Sequence, residues 1–383
     1  MIQRNHPGTW QNFSKRNDNQ KLPINELTSK YKKELLLFEN FVTFQMQQQA
    51  FLRQQSSGGG FSKVFTSTVQ LQKAMVQWYT NQESAELRYG IIEEWDVSNV
   101  TSFANVVGGE NPFYDFSATY QTTYSQFNRD LSGWNVSSGT SFEAMFFECQ
   151  AYNNAGVSLS GWDVSNSTGF GGMFSQASGF VGVGVDSWNM SNATDIGFMF
   201  SGCELFNINI NGWDTSNVTD MSGVFETTPA YNQPLNNWDV SKVTTMSEMF
   251  NCQIDGAIFN QPLSSWDTSN VIDMSFMFNG ADSFNQDISN FDFSSVVPIS
   301  RFGTVYSAQR FLGIVLGAPY NVNTSTAMSV ANYSALLISI AAQTLNANVL
   351  FDAGDTQYSA GAAATARATI VSTPWTVTDG GQA

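Results

Sequence analysis

Few residues of this 383-residue chain have the chemistry that catalysis requires. There is one histidine, His6, so a serine or cysteine nucleophile has no other imidazole to serve as its base. The three cysteines, Cys149, Cys203 and Cys252, lack the paired spacing of a zinc site or a disulfide framework. The glycines at 58–60 are not followed by the lysine of a phosphate-binding loop. We therefore predict no catalytic, cofactor-binding or metal-binding residues, and no enzyme.

A second candidate chemistry lies in acidic residues that directly follow tryptophan. This place is taken by Asp96, Asn135, Asp163, Asn189, Asp214, Asp239 and Asp267. A row of carboxylates could bind calcium, but asparagine interrupts it twice and the glycine-rich nonapeptide spacing of calcium-binding repeats is absent. Asp or Asn at the end of an extended segment also accepts a hydrogen bond from the backbone N–H two residues on, and we predict that role. A glycan-cleaving carboxylate pair among the 32 acids is the enzymatic alternative.

These acidic residues belong to a repeat of about 25 residues, and such repeats decide the whole fold. Each unit begins with a tryptophan, and Phe291 takes the next expected place after Trp95, Trp134, Trp162, Trp188, Trp213, Trp238 and Trp266. Position n below denotes the nth residue after that tryptophan. Apolar or small residues recur at positions 5, 8, 11, 12, 18 and 22, which in one unit are Val218, Met221, Val224, Phe225, Tyr231 and Leu235.

The spacing of these apolar residues predicts the shape of one unit. Positions 8, 11, 12 and 15 match one face of a short helix or of 3-10 turns, whereas the Leu-x-x-Trp-Asp part has the size of a short strand. Each unit therefore predicts a coil with an extended side and a helical side, and stacking of units buries its apolar face. We predict an α/β solenoid whose core is built from stacked Trp, Met and Phe. The cysteines, at or beside position 15, are expected in a small, half-buried slot.

Both ends of a solenoid need caps that cover the last apolar face. Residues 61–94 contain Val69, Leu71, Met75 and Trp78 at largely helical spacing, and they predict one or two capping helices that reach Gly90. The repeats fill residues 95–304. Residues 305–383 predict an α/β cap, with helices near 333–343 and 360–370 and strands near 349–351 and 375–379.

The units resemble the BspA-like leucine-rich-repeat (LRR) surface proteins, whose repeats read W-D-V-S-N-V-T-x-M-x-x-M-F. Here the pattern appears as GWDTSNVTDMSGVF, NWDVSKVTTMSEMF and SWDTSNVIDMSFMF. The resemblance covers about residues 65–383. It implies a right-handed LRR-like coil displayed on a surface, an adhesive role and no catalytic residues. The first two units depart from the pattern, because residues 108–126 form a long insert and Gly139 replaces the usual valine.

The first 60 residues predict an N-terminal arm with an anchoring helix. The helix is expected to start at Asn25 or Thr28, to run to about Gln55 and to end at the flexible glycines. A coiled coil, a helix that docks on another protein and a membrane-surface helix all stay open, because Glu34 and Gln45 interrupt the apolar stripe. We expect no secretory signal and no transmembrane segment, because the apolar run in this arm is short and contains a glutamate.

Charge is distributed unevenly along the chain. Residues 1–90 carry 11 Lys and Arg and 6 acids, whereas residues 91–304 carry 3 and 23. The acidic repeats would repel a phosphate backbone, so we expect no nucleic-acid partner. Only 13% of all residues are charged, and Asn, Ser, Thr and Gly take their usual places. This composition is typical of proteins displayed outside a cell.

An anchoring arm, a glycine joint and a displayed repeat module favour a non-enzymatic structural or adhesion protein. The predicted setting is the virion surface, as a phage decoration or fibre protein that contacts the host. The alternative is an extracellular adhesin on a bacterial cell surface, and the second alternative is a glycan-active enzyme. The expected partners are other virion or cell-surface proteins, bound through the arm, and a host-surface protein or glycan. Homo-oligomer formation stays open.

Overall fold

The computed structural model describes residues 64–108, 124–252, 256–297, 328–346, 349–353, 356–373 and 375–383. All of them belong to one compact unit, Ser62–Ala383. The arm and anchoring helix predicted over residues 1–60 lie outside the described residues, as does most of the predicted insert at 108–126.

Successive repeats lie side by side in chain order, joined by parallel backbone pairing. Position 7 forms the bridges, which are Ser102 to Ser141, Ser141 to Gly169, Gly169 to Asp195, Asp195 to Asp220, Asp220 to Thr245 and Thr245 to Asp273. Beyond each bridge, every second N–H donates to the next repeat, as Phe170 N does to Asp195 O (2.9 Å) and Phe174 N to Met199 O (3.0 Å). The backbone polar groups of one repeat are therefore satisfied by its neighbours.

The part of the repeat that was predicted to be helical consists of turns. Positions 7–14, which we call the turn side (residues 220–227 in one unit), form bridges, turns and bends in the described repeats. Position 10 has a positive φ in all seven: Asn105, Ala144, Gly172, Phe198, Gly223, Glu248 and Phe276. A left-handed residue there ends any right-handed helical path. Of the two predictions for this side, the short helix is wrong and the turns closed over three residues are present. Consecutive turns of that kind share the apolar spacing of a helix.

Stacked aromatic rings form the core, as the repeat spacing predicts. All seven repeat tryptophans are at most 4% exposed. Trp162 stacks on Trp188 with ring centroids 6.1 Å apart, and Phe146 stacks on Phe174 at 5.4 Å. Each indole N–H donates to a carbonyl that precedes it in the chain, as Trp188 Nε1 does to Leu159 O (3.0 Å). The prediction that these side chains are buried against their copies is confirmed.

The three cysteines are thiols in this core and form no disulfide. The small slot predicted at or beside position 15 is deeper than the half-buried one expected, because all three side chains are buried. Burial raises the pKa of the Cys149 and Cys203 thiols above the ordinary value. A thiol in that state is a packing group, because the thiolate is the reactive form.

Two helices precede the repeats, which confirms the helical prediction for this segment. Helix α1 covers Thr68–Thr80 and helix α2 covers Gln82–Tyr89. A 3-10 turn at Ile92–Glu94 then leads into the first tryptophan. Side chains of α1 donate to backbone carbonyls of the first repeat: Thr68 to Ser102, Gln72 to Ala104 and Tyr79 to Val107. In later repeats, carbonyls in this part of the unit accept N–H groups of the preceding repeat, so α1 replaces a repeat.

The C-terminal segment contains the four predicted elements in the predicted order. Helix α3 covers Val330–Ala341, strand β1 Leu350–Asp352, helix α4 Ala362–Ser372 and strand β2 Thr376–Thr378. The strands pair in parallel and α3 packs against α4. The residues after α3 hold the last repeat through side-chain hydrogen bonds. The Gln343 amide donates to Phe291 O and accepts Phe293 N. The Asn346 amide donates to Ser294 O and Val296 O.

Candidate functional site

The acidic residues after tryptophan have the backbone role that the sequence predicts. Each accepts the N–H of the serine two residues on, at 2.9–3.2 Å: Ser98, Ser137, Ser165, Ser191, Ser216, Ser241 and Ser269. The hydroxyl of the same serine, and then its N–H, hold the pKa of Asp96, Asp163, Asp214 and Asp239 below the ordinary aspartate value. Across the part of the chain that the structure describes, no group of three or more His, Cys, Asp or Glu is placed to hold a metal ion.

Positions 1–6, which we call the Asp side (residues 214–219 in one unit), present fixed polar columns. Asparagine at position 4 donates from Nδ2 to a serine carbonyl of the preceding repeat, as Asn192 does to Ser165 O (2.7 Å). Threonine at position 6 donates from Oγ1 to the preceding threonine carbonyl, as Thr219 does to Thr194 O (3.1 Å). Both residue types are exposed. The outer surface of this side is therefore polar and held in one arrangement.

The turn side carries acids of a different kind. Asp195 Oδ1 accepts Gly197 N and Asp220 Oδ1 accepts Ser222 N, both at 2.8 Å. A Cβ at Gly197 would lie 3.2 Å from Oδ1 of both aspartates, so the two carboxylates flank the same small residue. Burial raises the pKa of Asp195, and the charge of Asp220 adds to that effect. These carboxylates are fixed hydrogen-bond acceptors at adjacent repeats.

Position 13 adds a second acidic group. Glu226 accepts the Ser201 hydroxyl from the preceding repeat (3.0 Å) and the Asn251 amide from the following one (3.4 Å). Burial raises the pKa of Glu226, with the nearby charge of Glu248 as a further cause. No lysine or arginine occupies positions 7–14 in the seven described repeats. The turn side therefore offers acceptors without a cation.

An exposed aromatic ring lies between these acids. Phe198 is 36% exposed and has φ +56°, in a column where the neighbouring repeats have glycine. A Cβ on Gly223 would collide with the Phe198 ring, so this glycine allows the ring to lie across the next repeat. Phe276 has φ +58° and takes the same position three repeats on. The sequence does not single out either residue, because position 10 varies from unit to unit.

Comparison with protein families gives a match that repeats along the chain. The family described as "Mycoplasma protein of unknown function, DUF285" matches residues 48–183, 85–210, 180–256 and 254–335. No curated protein and no solved structure matches the chain. None of the described helices is long and apolar enough to cross a membrane.

Proposed function

The chain belongs to the DUF285 family, and from that premise we propose a non-enzymatic surface protein whose stacked repeats are displayed for adhesion. We further propose that the repeats form an LRR-like solenoid of the BspA-like kind. The helices α1 and α2 would be its N-terminal cap and the α3 to β2 segment its C-terminal cap.

The observation that carries this proposal is how the repeat divides its residues. Apolar side chains are spent on stacking, and the polar side chains outside are held by bonds between repeats. Such a surface extends with the number of repeats and keeps its shape, which suits display toward a partner. All three cysteine thiols are buried, so none of them is accessible as a nucleophile.

We propose the virion surface as the setting, with a phage decoration or fibre protein as the specific form. The repeats would contact the host, and the first 60 residues would attach the protein to other virion proteins. The alternative is an adhesin on a bacterial cell surface. Both share the displayed repeat array and differ in what holds it.

Mass spectrometry of purified particles and of a cell-envelope fraction from the same culture tests the setting. The protein should be enriched in the particles together with capsid or tail proteins. Enrichment in the envelope fraction would instead support the adhesin, and recovery only from the soluble cell interior would contradict both. Incubation of the purified protein with polysaccharides should release no products, and released oligosaccharides would contradict a non-enzymatic role.

A further inference from the structure

We propose that the turn side around Phe198 is the contact surface of the protein and that its ligand is a neutral glycan. This inference rests on the adhesive function proposed above, and it adds the surface and the chemical class of the ligand.

Phe198 occupies a strained position of the repeat. The repeat geometry imposes a left-handed backbone at position 10, where glycine fits without strain and a bulky side chain is disfavoured. Phenylalanine nevertheless occupies this position twice, and Phe198 has a third of its surface in water. Ring atoms of Phe198 lie against Gly223 of the next repeat, which fixes the place of the ring. The exposed part of the ring is available for a ligand to stack on.

Hydrogen-bonded acidic side chains lie in the same two repeats as the ring. Asp195 and Asp220 lie beside Gly197, the residue before Phe198, and Glu226 lies in the next repeat. Their orientations are set by bonds from Gly197 N, Ser222 N and the Ser201 hydroxyl. A sugar ring has an apolar face of C–H groups, which suits the negative face of an aromatic ring, and a rim of hydroxyl donors. Fixed carboxylate acceptors beside a ring match those two features.

The charge and the spacing of these side chains disfavour other ligand classes. Nucleic acids and sulfated or sialylated glycans are anionic, and the turn side has several acids and no base. A protein partner needs a compact cluster of aromatic and apolar anchors. Here Phe198 and Phe276 are separated by the intervening positions Gly223 and Glu248. A single exposed ring with polar groups around it fits one sugar unit better than it fits the anchor cluster of a protein partner.

Binding of the full chain to an immobilised β-glucan, a mannan and a galactan tests the proposal, with a sulfated galactan as the polyanionic probe. The wild type should bind at least one neutral polymer and not the sulfated one. Phe198→Ala and Phe198→Leu should bind about five- to tenfold more weakly, whereas Phe198→Tyr keeps the ring and should bind as the wild type does. Leu205→Ala is the matched control, because Leu205 is 57% exposed and lies outside the turn side. Thermal unfolding of each variant checks that the fold is kept.

Binding to isolated cell envelopes, before and after periodate oxidation of their sugars, separates this inference from the adhesive function. Loss of binding after periodate and in Phe198→Ala supports the glycan surface. Envelope binding that survives periodate, or that Phe198→Ala leaves unchanged, would overturn the inference and leave adhesion standing. Equal binding of the neutral and sulfated polymers would also overturn it. A protein that binds neither polymers nor envelopes would contradict both proposals.

Discussion

The Asp side and the turn side of the repeat contain the same acidic residue types in opposite environments. On the Asp side, Asp214 and Asp239 are exposed and accept both the N–H and the hydroxyl of a serine, so their pKa is lowered. On the turn side, Asp195 and Glu226 are half-buried near other carboxylates, so their pKa is raised. The Asp side therefore stabilises its charges, whereas the turn side carries charges at a cost.

Both sides serve the fold, because Asp195 and Asp220 also accept the N–H two residues on. The difference lies in burial and in the neighbouring charges. A carboxylate that closes a turn contributes to folding, and asparagine can replace it, as it does twice in the column. Half-buried like charges disfavour each other's ionised form, which raises their pKa. Their position in the same repeats as the exposed Phe198 is the reason for proposing the contact surface on the turn side.

The largest loss of stability is expected when the stacked core, which both sides share, is disrupted. Trp213→Ala should destabilise the protein by about 3–5 kcal/mol, because the indole is buried and leaves a cavity between two neighbouring rings. Urea unfolding followed by tryptophan fluorescence and circular dichroism measures the change. A loss below about 1 kcal/mol would mean that Trp213 is not packed between Phe200 and Trp238.

A pair of glycine variants compares the turn side with an open position just before the Asp side. Gly223 lies on the turn side with φ +55° and beneath the Phe198 ring, whereas Gly212 precedes Trp213 and has nothing within 4 Å of an added Cβ. Gly223→Ala should cost about 1–3 kcal/mol through backbone strain and displacement of the ring. Gly212→Ala should stay within about 0.5 kcal/mol of the wild type. Equal unfolding midpoints of the two variants in urea would show that the turn side is not constrained in this way.

The sequence predicts some of this comparison and misses the rest for physical reasons. Burial of the tryptophans, the serine-capped aspartates and the C-terminal elements follow from local pattern, because side-chain type at a fixed position decides them. The turn side does not, because turns closed over three residues and a helix place apolar residues at the same intervals. The left-handed position 10 is filled by Asn, Ala, Gly, Phe and Glu, so composition gives no sign of its backbone. The raised pKa of Asp195 and of Glu226 depends on burial and on carboxylates one repeat away, so local sequence does not predict it.

Glu226→Gln sharpens the comparison through pH. The folded-state pKa of Glu226 is raised above its ordinary value, so the folded protein binds this proton more tightly than the unfolded chain does. Stability should rise as pH falls from 7 toward the ordinary value of 4.5 and level off below it. The Gln variant should lose part of that rise, because an amide does not titrate. Urea midpoints of both proteins between pH 4 and 8 give the difference, and parallel curves would contradict a strained carboxylate.

The smallest effect is expected from Asp239→Asn on the Asp side. The lowered pKa of Asp239 contributes stability above its ordinary value of 3.8, and that contribution is lost as pH falls below it. Asparagine keeps the acceptor for Ser241 N, as Asn135 and Asn189 do for their own serines. At pH 7 the variant should therefore stay within about 0.5 kcal/mol of the wild type and lose a small part of the decline below pH 4. Asp239→Ala removes the acceptor and should lower the free energy of unfolding by about 1 kcal/mol both at pH 7 and below pH 4. If Asn is as costly as Ala in urea unfolding, the charge and not the hydrogen bond supports this side.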